Sequence, residues 1–486
     1  MDITIVNPLS GVASKPQVFM SLLYLATALD KKGHKVTVID SQIDDPIKSL
    51  DKVIDKTDCV ALSVMTTQVK DAVEISDYIK KKRADLPVIW GGFHPTLFPV
   101  QTVQDNVVDY AIIGEGEKAF LEFLEFLQDN RKAEDVAGLV YKKDGKVTVN
   151  PEKPFMDLNE LSPPNWDLIK MDRYVTDYVI SGVNFGPHLP LHSGRGCPYR
   201  CTFCINTVLK TRKWRPITAN NIINELKILK KRYNIKYVKF VDENFFMDRK
   251  RLKEFCEGII KEGIDIKWHA TCRANYLRYN HIDDELLGLV KKSGCAVIAM
   301  GIESGSQKVL DLIQKDIKVE DAIRAVKRCE EMDIIPVCSF MIGLPGESNE
   351  DMIKTLNLIS ELKKICPRTV VLGPQTFRPY PGCDLYNQVK GMLKEPKTLR
   401  EWTKTEILFG FYTPRHLPWV KDPSYLVNLC FYMRLAESST NFVGEIMKLP
   451  FKKMADFRIK HGFMGFPVDK VVYARAKQIY FDLRNR

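Results

Sequence analysis

Short β-branched and apolar runs alternate with amphipathic stretches along the first 140 residues. "DITIVNP" is followed by a helical spacing of Leu22, Leu23, Leu25, Ala26 and Leu29, and Gly33 then opens the strand "KVTVID". "CVALSVM" at 59–65, "PVIWGG" at 87–92 and "VDYAIIGEGE" supply three more strands. "VKDAVEISDYIKKKRA" and "EKAFLEFLEFL" supply the helices between and after them. Short buried strands separated by amphipathic helices predict an α/β, doubly wound (Rossmann-like) parallel sheet. Ligands on such a sheet lie outside the carboxyl ends of its strands.

The alternation breaks from about 144 to 187. A hairpin-like piece, "VYKKDGKVTVN", runs into the proline-rich "PEKPFMDLNELSPPNWDLI", which reads as a linker. A second βα series starts at "HLPLHSGRG" (188–196), with further strands at 235–243, 266–273, 295–303, 335–345 and 370–377. Six units are too few for a closed eight-stranded barrel and fit an open, partial one, with functional groups at the strand ends. The expected organisation is thus a nucleotide-type domain over 1–143, a linker over 144–187, a partial (βα)6 barrel over 188–390 and a mixed, mainly helical region over 391–486.

Composition narrows the class. The chain has 486 residues, 45% hydrophobic and 27% charged, as in soluble globular proteins. No run approaches the roughly 20 apolar residues of a membrane span, and "MDITIVNPLSG" lacks a basic leader, so a cytoplasmic location is expected. Nine of the 12 cysteines are scattered singly and read as small buried hydrophobes. Net charge is +11, and residues 401–486 hold 14 Lys and Arg against 8 Asp and Glu. That surplus suits an anionic substrate, a membrane surface, nucleic acid or plain solvated surface.

The exception among the cysteines is "RGCPYRCTFCIN", with Cys197, Cys201 and Cys204 in eight positions. Structural zinc wants four ligands, usually in two pairs, and the nearest other candidate, His192, precedes the turn. An iron–sulfur cluster wants thiolates, and three of them leave one iron open for a substrate or cofactor. The spacing Cys-x3-Cys-x-aromatic-Cys, with Phe203 at the aromatic position, follows the first strand of the second series. It resembles the radical S-adenosylmethionine superfamily. The resemblance implies that the three cysteines hold a [4Fe–4S] cluster whose open iron binds S-adenosylmethionine. An electron from a donor such as flavodoxin or ferredoxin then releases a 5′-deoxyadenosyl radical. It also implies that Glu303 and Ser304 in "GIESGS" contact S-adenosylmethionine, that Gly343 in "FMIGLPGES" passes its adenine, that Asp242 and Glu243 meet its ammonium, and that Arg273 meets its carboxylate.

The first domain has no G-x-G-x-x-G after its first strand. With "SVMTTQ", "GGFHP" and "GEGE" after strands three to five, it resembles the cobalamin-binding domain of the B12-dependent branch of that superfamily. The resemblance places Gly91, Gly92, Gly114, Glu115 and Gly116 along the corrinoid's nucleotide tail. Ser63, Thr66, Thr67 and Gln68 then lie toward the lower side of the cobalt. The D-x-H-x-x-G signature is missing, and His94 is the one histidine in these loops. "FRPYPGCDLY" (377–386) also resembles this class, with Tyr380 or Arg378 toward substrate.

The activity so implied is methylation of an unactivated carbon on a small or lipid-like substrate. The alternative is cyclisation or skeletal rearrangement, as in the anaerobic cyclase of chlorophyll precursors. Transfer-RNA thiomethylation fits less well, because the first domain holds only Cys59, and nucleic acid is not expected as a partner. A non-catalytic corrinoid carrier would leave Glu303 and "GLPGE" idle. The segments "FYTPRHLPWV" and "FVGEIMKLPFKKMADFRIKHGFMGFP" read either as a lid over the barrel mouth or as a basic amphipathic surface resting on a membrane.

Overall fold

A computed structural model describes residues 1–9, 16–208, 212–404, 417–437, 442–465, 467–473 and 475. The first sheet has seven strands: β1 (Asp2–Asn7), β2 (Lys35–Asp40), β3 (Cys59–Ser63), β4 (Val88–Gly91), β5 (Tyr110–Ile112), β6 (Leu139–Lys143) and β7 (Lys146–Val149). Their order is β2-β1-β3-β4-β5-β6-β7. Every pairing from β2 to β5 is parallel, whereas β6 and β7 are antiparallel. Both faces are buried, which is why these strands read as continuous apolar runs. Ile3 and Ile5 pack with Leu22, Phe120 and Phe123 on one face, and Val6, Leu62 and Trp90 with Val69 and Val73 on the other. The hairpin expected in the linker is instead the edge of this sheet, so the sheet runs on to Val149. Val140 belongs to its core, which the charged turn at Lys142–Lys146 disguises in the sequence.

The second sheet contains β8 (Thr176–Ile180), β9 (Val183–Leu191), β12 (Tyr237–Phe240), β13 (Lys267–Cys272), β14 (Cys295–Glu303), β15 (Ile335–Ile342) and β16 (Val370–Thr376), in the order β16-β15-β14-β13-β12-β9-β8. Six parallel strands carry the barrel as expected, and β8 adds an antiparallel seventh. A two-stranded ribbon, β10 (Gly194–Arg195) with β11 (Arg215–Pro216), stands beyond β9. The sheet is curled: Tyr178 of β8 stacks on Tyr237 at 4.4 Å and reaches His269 of β13 at 3.1 Å. Along a flat sheet β8 and β13, three strands apart, would stand about 14 Å from each other.

The region after 390 does two things. The short helix Leu399–Trp402 returns to the first domain, with Trp402 in its core and Arg400 bonded to Asp77 and Asp105. Leu417, Leu426, Leu429 and Tyr432 join the barrel core, where the helix Pro423–Glu437 packs beside the edge strand β16. No helix among the described residues is long and apolar enough to cross a membrane. "FYTPRHLPWV" falls largely outside the described residues.

Candidate active site

The cysteine loop is held from four directions. Where β12 ends, Asp242 accepts the Ser193 amide at 2.6 Å and its hydroxyl, and Arg251 donates to the Ser193 carbonyl at 2.9 Å. Gly196, at φ +85°, donates to Glu243 at 3.2 Å. Thr202 donates to the Ile313 carbonyl and accepts from the Leu385 amide, both at 3.0 Å. The Cys204 amide closes the loop on the Cys201 carbonyl at 3.0 Å. Asp242 and Glu243 thus help to shape the loop, Asp242 buried and Glu243 exposed.

Cys201 is buried, and Cys197 and Cys204 are half-buried. Burial pushes the Cys197 thiol up and the Cys204 thiol to about 11, and each feels the charge of its neighbours in the trio. The three thiols thus share one space. Among the described residues no three His, Cys, Asp or Glu side chains converge on a single ion. A cluster makes no such demand, since each iron takes its own thiolate. The Arg273 guanidinium lies 3.8 Å from the Cys201 sulfur and 3.6 Å from the Tyr199 ring centroid, and also donates to the Lys315 carbonyl. Three sulfurs on one short loop, with a guanidinium beside them, form a donor set that suits an iron–sulfur cluster.

At the neighbouring strand ends, Glu303 takes the left-handed φ of +70° and pairs with Lys315 at 2.9 Å. The Lys315 ammonium in turn lies 5.6 Å from the Phe203 ring centroid. Ser304 is buried, its hydroxyl 3.1 Å from that of Thr355 and accepting the Ser306 amide, which is a structural duty. Gly343, at φ +75°, donates to Glu347, while its carbonyl accepts from Trp419 at 2.9 Å. Burial pushes the Glu347 carboxyl up to about 7. Tyr380 is 46% exposed.

In the first domain, Ser63, Thr66 and Thr67 are half-buried at the carboxyl end of β3. Gln68 is buried, donates to Asn7 at 3.1 Å and accepts the Met65 amide at 2.8 Å, stitching two loops together. His94 is fully buried against Phe98 and Trp402, and neither ring nitrogen has a hydrogen-bond partner. Burial alone lowers it to about 3, so the ring is neutral and enclosed rather than presented at a loop surface. Gly91 has room beside it, whereas Gly92, at φ +96°, lies against the Val64 backbone, where a Cβ would come to 3.0 Å. Gly114, at φ +76°, is covered by the Glu152 carboxylate from the linker, and Gly116 faces Leu25.

Glu115 joins the two domains. It accepts from Arg215 at 2.5 and 3.0 Å and from Arg195 at 3.3 Å, and Arg195 also donates to Glu117 at 2.6 Å. Tyr24 and Phe155 place their rings 5.5 Å and 4.4 Å from the two guanidinium carbons. This largely buried quartet binds the loop after β5 to the ribbon that leads directly into Cys197. Sequence reading missed Arg195, Arg215, Glu117, Lys315 and Trp419. A charged residue at a strand end was the available signal, and it does not name its partner.

A three-thiol loop at the carboxyl end of a curled parallel sheet, faced by the carboxyl end of a doubly wound domain, defines a two-cofactor enzyme architecture. Residues 191–359 match the radical SAM superfamily and residues 17–124 the B12 binding domain. An uncharacterized methyltransferase of Pyrococcus horikoshii is 31% identical over 372 residues, 76% of this chain and 77% of that protein. An anaerobic magnesium-protoporphyrin IX monomethyl ester cyclase of Rubrivivax gelatinosus is 27% identical over 379 residues, 75% of this chain and 65% of the cyclase. Among solved structures, the cobalamin-dependent S-adenosylmethionine radical enzyme OxsB, with aqua-cobalamin and S-adenosylmethionine bound, is similar at a TM-score of 0.73 and 19% identity, covering 94% of this chain and 71% of OxsB. That likeness is one of fold. The chain belongs to the radical SAM superfamily, in the branch whose members carry a B12 binding domain ahead of the radical SAM domain.

Proposed function

We propose that the protein is a cobalamin-dependent radical S-adenosylmethionine enzyme that methylates an unactivated carbon of a small or lipid-like substrate. The observation that carries the reading is the Arg195, Arg215, Glu115 and Glu117 quartet, which ties the loop after β5 of the first domain to the ribbon that leads into the cysteine loop. The relative at 31% identity is named a methyltransferase, which favours the same reaction. Cys197, Cys201 and Cys204 would hold the [4Fe–4S] cluster, and the loops at Ser63–Thr67, Gly91–Gly92 and Gly114–Glu115 would border the corrinoid. When bound, these groups supply the radical that opens a C–H bond and the methyl that replaces the hydrogen. The electron comes from a donor such as a flavodoxin or ferredoxin.

The chain's own part is placement. Arg273, beside the Cys201 sulfur, presents a cation to a docking carboxylate. Lys315 fixes Glu303 at the edge of the same space. Trp419 and Leu426 close over Gly343 and limit the entry of water.

Cyclisation without methyl transfer is the second reading, favoured by the relative at 27% identity. The two are separated by anaerobic reconstitution with iron, sulfide and hydroxocobalamin, followed by S-adenosylmethionine and dithionite. Methyl transfer predicts S-adenosylhomocysteine that depends on added cobalamin, alongside 5′-deoxyadenosine. Release of 5′-deoxyadenosine with no S-adenosylhomocysteine, with or without cobalamin, contradicts methylation and supports the cyclase reading.

A further inference from the structure

The concave face of the second sheet carries a cation that the site above does not use. Along β12, Val238 and Phe240 enter the core beneath the outer helices, while Tyr237 packs with Val297, Ile335 and Val337 on the opposite face. Alternation places Lys239 on the face of Tyr237, inside the curl. It pairs in register with Pro190 of β9 and His269 of β13. Trp268, Ala270 and Cys272 all take the helix side of β13, so His269 faces the same interior. Tyr178 closes the floor, stacked on Tyr237 and hydrogen-bonded to His269.

Lys239 is half-buried, and its ammonium meets no hydrogen-bonding or ion-pair partner among the described residues. Burial lowers its pKa from the ordinary lysine value. The surrounding elements offer it no counter-charge. His269 is held neutral by burial, at about 3, and His188 of β9 is engaged with the Thr176 carbonyl at 2.6 Å. Of the carboxylates at the rim, Asp242 bonds Ser193, Glu243 accepts the Gly196 amide and Glu303 pairs with Lys315, and burial is the one perturbation that Lys239 feels. A cation drawn part-way out of water without a partner is costly, and an arriving anion recovers that cost. Arg273, the side chain beside Cys201, follows His269 by four positions at the end of β13, which is about 13 Å of extended chain.

We propose that Lys239 is a substrate-binding residue at the base of the barrel, where it receives a carboxylate or phosphate of an elongated substrate whose reacting carbon lies about 13 Å higher beside the cysteine loop. This rests on the radical-enzyme reading for the place of reaction, but the anion site itself is tested without activity. The anaerobically reconstituted full chain is labelled with trace acetic anhydride, and Lys239 is compared by peptide mass spectrometry with Lys250, whose side chain is 88% exposed. Acetate or inorganic phosphate should slow labelling of Lys239 at least fivefold relative to Lys250, because a bound anion holds the ammonium protonated. Chloride at equal ionic strength should not. Protection by acetate alone assigns a carboxylate, and protection by phosphate alone a phosphoryl group. Equal labelling with and without either anion, or equal protection by chloride, overturns the site.

A second measurement guards against indirect effects. The protecting anion should raise the melting temperature of the parent but not of Lys239→Met, and an equal rise in both overturns the proposal. Failure of the parent to release 5′-deoxyadenosine would sink the proposed reaction and leave the anion result standing.

Discussion

Removing Arg195 tests how the two domains are joined. The Arg195 and Glu117 side chains are only 16% and 6% exposed, and their contact is 2.6 Å. Breaking a buried pair by deleting one partner costs about 3–5 kcal/mol. Glu115 keeps Arg215 at 2.5 Å, so Arg195→Met strands only the Glu117 carboxylate, and the lower end, about 3 kcal/mol, is expected. Glu117→Gln leaves Arg195 with Glu115 at 3.3 Å and costs less, about 2 kcal/mol. The double variant strands no charge and should recover much of the loss. Urea unfolding of the parent, both single variants and the double variant gives the cycle, with a coupling of at least about 2 kcal/mol expected. Coupling below about 0.5 kcal/mol, the level of an exposed pair, would refute the clamp.

Three further outcomes follow from the same geometry. Glu347 has a folded pKa near 7, above its ordinary value of 4.5, so its stabilising protonated form is lost as pH rises through that window; Glu347→Gln should gain melting temperature over the parent more at pH 8 than at pH 5, and a pH-independent gap would contradict this. Gly343→Ala should cost about 1–3 kcal/mol, because it adds left-handed strain and brings a Cβ to 2.9 Å from Leu426. Gly145→Ala, at φ +76° with nothing within 4 Å, should show the strain alone, about 1 kcal/mol; equal losses at both positions would mean that the C-terminal helix does not press on Gly343. Lys315→Met should destabilise by about 3 kcal/mol by stranding Glu303, and Glu303→Gln in the same chain should restore most of it, as read from urea midpoints.

Much of the fold was legible because both sheets bury two faces, so apolar runs such as "CVALSVM" and "CAVIAMGIE" mark strands without ambiguity. The hairpin at β6 and β7 was legible as a hairpin but not as part of the sheet, since its exposed lysines and central Asp-Gly look the same at a sheet edge as in a linker. The cysteine trio announced itself by spacing. Its surroundings did not: Asp242, Ser304 and Gln68 look like ligand-facing residues on the chain, and the sequence gives no sign of their bonds to Ser193, Thr355 and Asn7. Hydrogen-bond partners 49 to 61 positions away are set by how strands are laid side by side, which local pattern does not encode. Glu115 shows the same limit, because its two arginines lie 80 and 100 residues downstream.

The most direct test of the central claim is 5′-deoxyadenosine release by the reconstituted chain and by Cys201→Ala, with S-adenosylmethionine and dithionite under strict anaerobiosis. The parent should release 5′-deoxyadenosine and the variant none above the protein-free background. Release by Cys201→Ala at the parent's rate would contradict the assignment of the three-cysteine loop as the site of radical initiation.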